Sequence, residues 1–232
     1  ITGAMTLAAW VQLDSGNTNN GRIVAKQAGG GSRSWSLNIE ASSGGVTNPG
    51  TFQVASNGST IVGINDQDPL PTDEWVHLAG VYKPSVALEL YVNGKLKARN
   101  TTDIPATQHS ENGNSVLIGS RHAASNCGWM GAIDEVHIYD NALSGSEVKK
   151  LALRPKAHNP GPGDGAIHED IWVTLSWSPG GFAASHDVYL GDNFGVINEG
   201  TRDSDIYRGN QLSTFYIAGF PGFAYPEGLV PG

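Results

Sequence analysis

The chain has one cysteine, Cys127, so an intramolecular disulfide is excluded and stability must come from packing. Charge is sparse too. Asp, Glu, Lys and Arg make up 16% of residues, with a formal net charge of −8, which argues against a nucleic-acid backbone or an anionic membrane as partner. No apolar run approaches the roughly 18 residues of a membrane span. The opening "ITGAMTLAAW" has neither a basic n-region nor a cleavage pattern, and no initiating Met. The chain therefore reads as a piece excised from something longer. Catalytic signatures are missing as well. There is no Gly-x-Ser-x-Gly, no His-Glu-x-x-His and no phosphate-binding glycine loop, since "GGGS" at 29–32 lacks a following Lys and helix.

Glycine, by contrast, is abundant (31 residues), and Val, Ile, Thr and Trp recur in short bursts, the profile of an all-β protein with many turns. "MTLAAWVQLD" sets Met5, Leu7, Ala9, Val11 and Leu13 on one face against Thr6, Ala8, Trp10 and Gln12. "GRIVAKQ", "SWSLNIE", "TFQVAS", "NGSTIVGI", "EWVHLAGVY", "ALELYV", "KLKAR", "SVLIGS" and "MGAIDEVHIY" follow. Asn57-Gly58 and Asn93-Gly94 are expected to supply the positive φ angles of tight hairpin turns. About ten strands over 150 residues predict a two-sheet antiparallel sandwich or jelly roll. One helix is expected after it, with a capping box of Ser144 and Glu147, a staple of Leu143 and Val148, and Val148 with Leu151 docked on the sandwich.

Residues 154–166, "RPKAHNPGPGDGA", are expected to be a Pro/Gly-rich linker with little pairing. A second β pattern follows over 167–232, with Val173, Leu175 and Trp177 on one face and Val188 with Leu190 on another strand. It has few strands, and is expected to be a small, incomplete β-sandwich. Trp172 is expected to face outward or against the first domain.

"MTLAAWVQL", "EWVHLAGVY", "LELYVNGK", "SVLIGS" and "GWMGAIDEVHIYDNALSGSEV" resemble the laminin-G-like, concanavalin A-like jelly-roll family over residues 1–153. "DGAIHEDIWVTLSWSPGGFAASHDVYLG" resembles the fibronectin type III-like modules that follow such domains. The resemblance implies a non-catalytic module of a larger extracellular bacterial protein, secreted or at the cell surface. Such a module binds polysaccharide or another glycan, mediates adhesion, or meets a protein partner. A glycoside hydrolase of the same fold and a pure spacer are the alternatives, because fold does not decide function.

In "AIDEVHIY", simple alternation puts Ala132, Asp134, Val136 and Ile138 on one face and Ile133, Glu135, His137 and Tyr139 on the other. Val136 and Ile138 belong to the core, so Asp134 is expected at its margin. Related jelly-roll glucanases hold a structural Ca²⁺ with an aspartate at the comparable place, which makes Asp134 the calcium candidate. The alternative is a carboxylate that accepts backbone N–H bonds. Those glucanases also carry Glu-x-Asp-x-Glu on one strand, a triplet that this chain lacks. Glu135 with His137 then reads as a solvated sheet face.

Glycan binding in β-sandwich modules generally uses an exposed aromatic platform with polar flanks. Trp10, Trp35, Trp75, Tyr82 and Tyr91 are expected in the core. Trp129 and the preceding loop, with Arg121, His122, Ser125 and Asn126, form the candidate glycan site at one end of the sandwich. The loop "NDQDPLPTDE" offers Asn65, Asp66 and Asp68 as oxygens for a surface Ca²⁺, or forms a plain acidic turn. His77 is expected as a satisfied sheet histidine, and Cys127 as a bystander.

Overall fold

The computed structural model describes residues 1–17, 19–28, 31–110, 113–121, 127–154 and 156–230. Chain contacts divide it into two units, Ile1–Ala152 and Leu153–Gly232.

The strands of the first unit are β1 (Met5–Leu13), β2 (Arg22–Gln27), β3 (Arg33–Ile39), β4 (Ser42–Ser43), β5 (Val46–Thr47), β6 (Pro49–Ala55), β7 (Ile61–Pro69), β8 (Trp75–Lys83), β9 (Ala87–Val92), β10 (Lys95–Asn100), β11 (Leu117–Ile118) and β12 (Gly131–Tyr139). Two five-stranded antiparallel sheets result, in the orders β10-β9-β8-β1-β12 and β11-β2-β3-β6-β7. This is the two-sheet sandwich that the alternation predicts. Met5, Leu7, Ala9, Val11 and Leu13 line its core, with Trp35, Leu37, Phe52, Val54, Leu78, Leu88 and Leu90.

Two glycines let the sheets interlock. A Cβ on Gly80 of β8 would overlap Cγ and Cδ2 of the Phe52 ring, and one on Gly50 of β6 would stand 2.9 Å from Leu78 Cδ1. Each sheet thus presents a bare backbone position to a large side chain of the other. Native packing density requires such a fit.

The two Asn-Gly turns part company. Asn93 (φ 49°) and Gly94 (φ 71°) make the expected positive-φ turn between β9 and β10. Neither Asn57 nor Gly58 does so. Instead the Asn57 carboxamide oxygen accepts the Ser59 and Thr60 amides at 3.0 and 2.8 Å, so the side chain shapes this turn.

The helix α1 (Gly145–Leu151) forms as expected. Ser144 Oγ accepts the Glu147 amide, and the Glu147 carboxylate accepts the Ser144 amide at 2.7 Å. Leu143 and Val148 bury themselves on Ala8, Ala79, Val81 and Tyr91 of the first sheet's outer face, with Leu151 packed alongside.

In the second unit, β13 (His158–Gly161), β14 (Val173–Ser178) and β17 (Phe215–Ala218) form one sheet. β15 (His186–Tyr189) and β16 (Tyr207–Gln211) form another, and a short helix α2 (Phe194–Asn198) lies between those two strands in the chain. The Pro/Gly-rich stretch 154–166 carries one short strand, β13. His158 and Gly161 pair with Ser178 and Ser176, while Asn159 and Pro160 fall in a register shift between them. A proline donates no ladder bond, and an edge strand with a bulge tolerates it. Val173 and Val188 are buried as expected, and Trp172 is exposed.

Candidate functional site

The expected register of β12 fails at one residue. Glu135 has φ 48°, and the pairing with β1 shifts there, from Ala8↔His137 to Trp10↔Asp134. This bulge adds one residue to the strand, so Ile133 and Val136 both reach the core. Asp134 is moved to the outer face, where it is exposed, and its Oδ1 accepts the Glu135 amide at 2.8 Å.

Ca²⁺ takes about six to eight oxygens. Among the described residues no three His, Cys, Asp or Glu side chains come together, so a Ca²⁺ at Asp134 would take its other oxygens from backbone carbonyls and water. We expect the same thermal midpoint in Ca²⁺ and in EDTA, for the native chain and for Asp134→Ala. A Ca²⁺-dependent rise that the variant loses would restore calcium to this carboxylate.

The acidic stretch at 65–68 is also placed differently than expected. It belongs to β7 rather than to a loop. Lys97 Nζ donates to Asp68 at 2.6 Å and lies 3.8 Å from Asp66, so a lysine from the other sheet already supplies the cation. Asn65 instead bonds Thr51 and Ser43, at 2.9 and 2.6 Å.

Among the aromatics, Trp35, Tyr82 and Tyr91 are buried as expected. Trp10 and Trp75 are not core residues; both are half-buried on the outer face of the first sheet, as Trp10's place opposite Val11 in the alternation implies. His77 stands edge-on to Trp10, with centroids 5.5 Å apart. Burial, then the charge of His137, push its pKa down to about 4, so it is neutral at physiological pH.

Trp129 is half-buried against the core. Its indole N–H is shared between the Gln12 and Ala132 carbonyls, each at 3.2 Å. A Cβ on Gly21 would stand 3.1 Å from the ring, so the glycine makes room for it. That commitment makes Trp129 a brace between the chain before β2 and β12. His122, Ser125 and Asn126 lie outside the described residues. Arg121 is described, and it leads to a site that no single segment of sequence reveals.

That site is the outer face of the second sheet. Leu37 and Ile39 point to the core, so Ser36 and Asn38 point away from it. Register partners share a face, which adds Arg22 opposite Asn38, Ala25 and Gln53 opposite Ser36, Thr51 opposite Asn38, and Gly63 and Asn65 on β7. A polar row of Arg22, Asn38, Thr51 and Asn65 therefore crosses four strands. Beside it runs a row of small residues and one amide: Ala25, Ser36, Gln53 and Gly63.

The row is tightly bonded. Ser36 Oγ donates to Asn38 Oδ1 at 2.8 Å, and Thr51 Oγ1 to Asn65 Oδ1 at 2.9 Å. Glu40, just beyond β3, collects the Asn38 amide at 3.0 Å and the Gln53 amide at 3.3 Å on one oxygen. Arg22 donates to the Asn20 carbonyl at 2.8 Å and lies 3.9 Å from Glu40. Ser36, Asn38 and Thr51 are fully buried, whereas Glu40, Gln53 and Asn65 form a half-buried rim. Fixed amides and a carboxylate of this kind suit a ligand dense in hydroxyls, each of which both donates and accepts.

The family described as Concanavalin A-like lectin/glucanases superfamily matches residues 1–149. The chain belongs to that superfamily. The match ends before the second unit. Two solved structures share the superfamily chain's fold. One is a candidate carbohydrate binding protein from Bacteroides ovatus, with TM-score 0.53 and 15% identity over 97% of this chain and 56% of that one. The other is the native heptameric SAP-like pentraxin from Limulus polyphemus, with TM-score 0.52 and 17% identity over 65% of this chain and 70% of that one. A human relative, Adhesion G-protein coupled receptor D1, is 30% identical over 78 residues, 34% of this chain but 9% of the receptor. No helix of the described residues is long and apolar enough to cross a membrane.

Proposed function

We propose that the first unit is a non-catalytic carbohydrate-binding module of a larger extracellular bacterial protein, and that it takes polysaccharide on the outer face of the second sheet. One observation carries the reading: four neighbouring strands converge polar side chains on one face, with Glu40 and Gln53 bonded to each other at its rim. Superfamily membership supports it, as does the likeness to a candidate carbohydrate binding protein. Two-carboxylate glycoside hydrolysis places its second acid about 5–9.5 Å from the first. The strand positions of this face carry no Asp or Glu, which leaves Glu40 to position a ligand rather than to cleave it. For the second unit, the fibronectin type III-like reading is a separate proposal supported by its two small antiparallel sheets.

Affinity electrophoresis across a panel of polysaccharides tests the main proposal. At least one polymer should retard the protein, and Gln53→Ala should weaken that binding about tenfold, the effect of losing one well-placed hydrogen bond. Retardation by no polymer, or full binding by the variant, sinks the reading.

A further inference from the structure

The polar face has more positive charge than its own structure uses. At its β2 end Arg22 lies beside the segment that carries Arg121: the Gly119 amide donates to the Ile23 carbonyl at 2.9 Å, and the Arg22 amide to the Cys127 carbonyl at 3.1 Å. The Arg22 side chain is 7% exposed, and its guanidinium donates to the Asn20 carbonyl. Its Nε is buried with no partner, and so is the Nε of Arg121. Glu40 is the acid within reach, but 3.9 Å is beyond hydrogen-bonding distance. Its bonded oxygen is already shared by Asn38 and Gln53.

Burial lowers the pKa of Arg22 first of all. Glu40 and Cys127 act against that, and Arg121 and Arg33 add to it. Three guanidinium groups are thus set against one carboxylate, in a chain whose overall charge is −8. A buried donor without an acceptor is costly, and like charges held together repel. Both costs fall when an anion with two or more oxygens arrives, and a guanidinium fork matches a planar carboxylate or a sulfate.

We propose that the glycan bound on this face is an anionic one, whose carboxylate or sulfate is received by Arg22 and Arg121 while its hydroxyls meet Glu40, Gln53 and Asn65. The proposal rests on the carbohydrate-binding reading and specifies the class of sugar. The residues divide the work: the amides and Glu40 recognise the polyol, and the two arginines select for charge. The acidic remainder of the surface repels densely charged polyanions, which favours a polymer with spaced charges.

The test is calorimetric titration with three polymers: a neutral polysaccharide, one containing uronic acid and one carrying sulfate esters, each at low and high salt. At least one anionic polymer should bind about tenfold tighter than the neutral one, and salt should erode that advantage. Arg121→Gln, at a half-buried position, should abolish the preference. A response to uronate alone or to sulfate alone identifies the anion. Equal affinity for neutral and anionic polymers overturns the proposal while the module reading stands. So does a preference that survives Arg121→Gln. Binding of no polymer overturns both.

Discussion

Gly80→Ala should destabilise the first unit by about 3 kcal/mol, the upper range for overpacking a core, and lower its Tm by roughly 6–12 °C. The added methyl would stand within contact distance of three Phe52 atoms, all belonging to a side chain that is itself fully buried. The ring has nowhere to retreat, because Gly80 sits between Leu7 and Leu90 in register, and both are fully buried in the same core as Phe52. Phe52→Ala should cost about 3–5 kcal/mol on its own through the cavity it leaves. The decisive measurement is the double variant. The methyl added at position 80 then enters space that the ring has vacated, so the combined loss should fall short of the sum by at least about 1 kcal/mol. Chemical denaturation of all four proteins reads this directly. Simple additivity would mean that the ring and the glycine are not interlocked.

The second large effect concerns Glu89. On the outer face of the first sheet its Oε2 accepts Lys83 Nζ at 2.7 Å and the Tyr91 hydroxyl at 2.8 Å, while Oε1 accepts Arg99 Nε at 3.2 Å. Burial pushes its carboxyl pKa up. The hydrogen bonds from Lys83 and Tyr91, together with the charges of Lys83 and Arg99, outweigh it and leave the group below its ordinary value. A depressed folded-state pKa contributes stability above the unfolded value and loses it as pH falls through the folded one. Glu89→Gln should therefore cost about 1.5–3 kcal/mol at neutral pH, the range for hydrogen bonds to a charged group. The gap to the native chain should close as pH drops below about 4. Urea midpoints across that range check it. A gap that is independent of pH would assign the loss to shape rather than to charge.

Most strands of the sandwich could be read from the sequence, because a strand with one face in the core alternates. β1 shows this pattern, and its core-facing residues Met5, Leu7, Ala9, Val11 and Leu13 are those expected. The capping box was legible for a similar reason: Ser144 and Glu147 are three residues apart, so the motif is local. The bulge at Glu135 was not. Nothing in "AIDEVHIY" marks the extra residue, and one such residue moves everything before it to the opposite face, which is why Asp134 stands outside. The candidate site was harder still. Arg22, Asn38, Thr51 and Asn65 meet only through the registers of three strand pairs, and each alone is an ordinary polar residue in an alternating strand. Arg121 was singled out from a loop expected to work with Trp129. The structure instead commits that tryptophan's N–H to backbone carbonyls.

The Glu135 bulge has a consequence beyond the placing of Asp134. β12 is the outermost strand on one side of its sheet, and β10 is outermost on the other. An incoming strand from another molecule needs a flat, regular row of free amides and carbonyls. At β12 it meets a backbone kink carrying two exposed acids, Asp134 and Glu135. At β10 it meets Lys95, Lys97 and Arg99, with a second irregularity between Leu96 and Ala98. Both flanks are thus unfit as templates for side-by-side growth, which guards a glycine-rich, weakly charged β protein against aggregation.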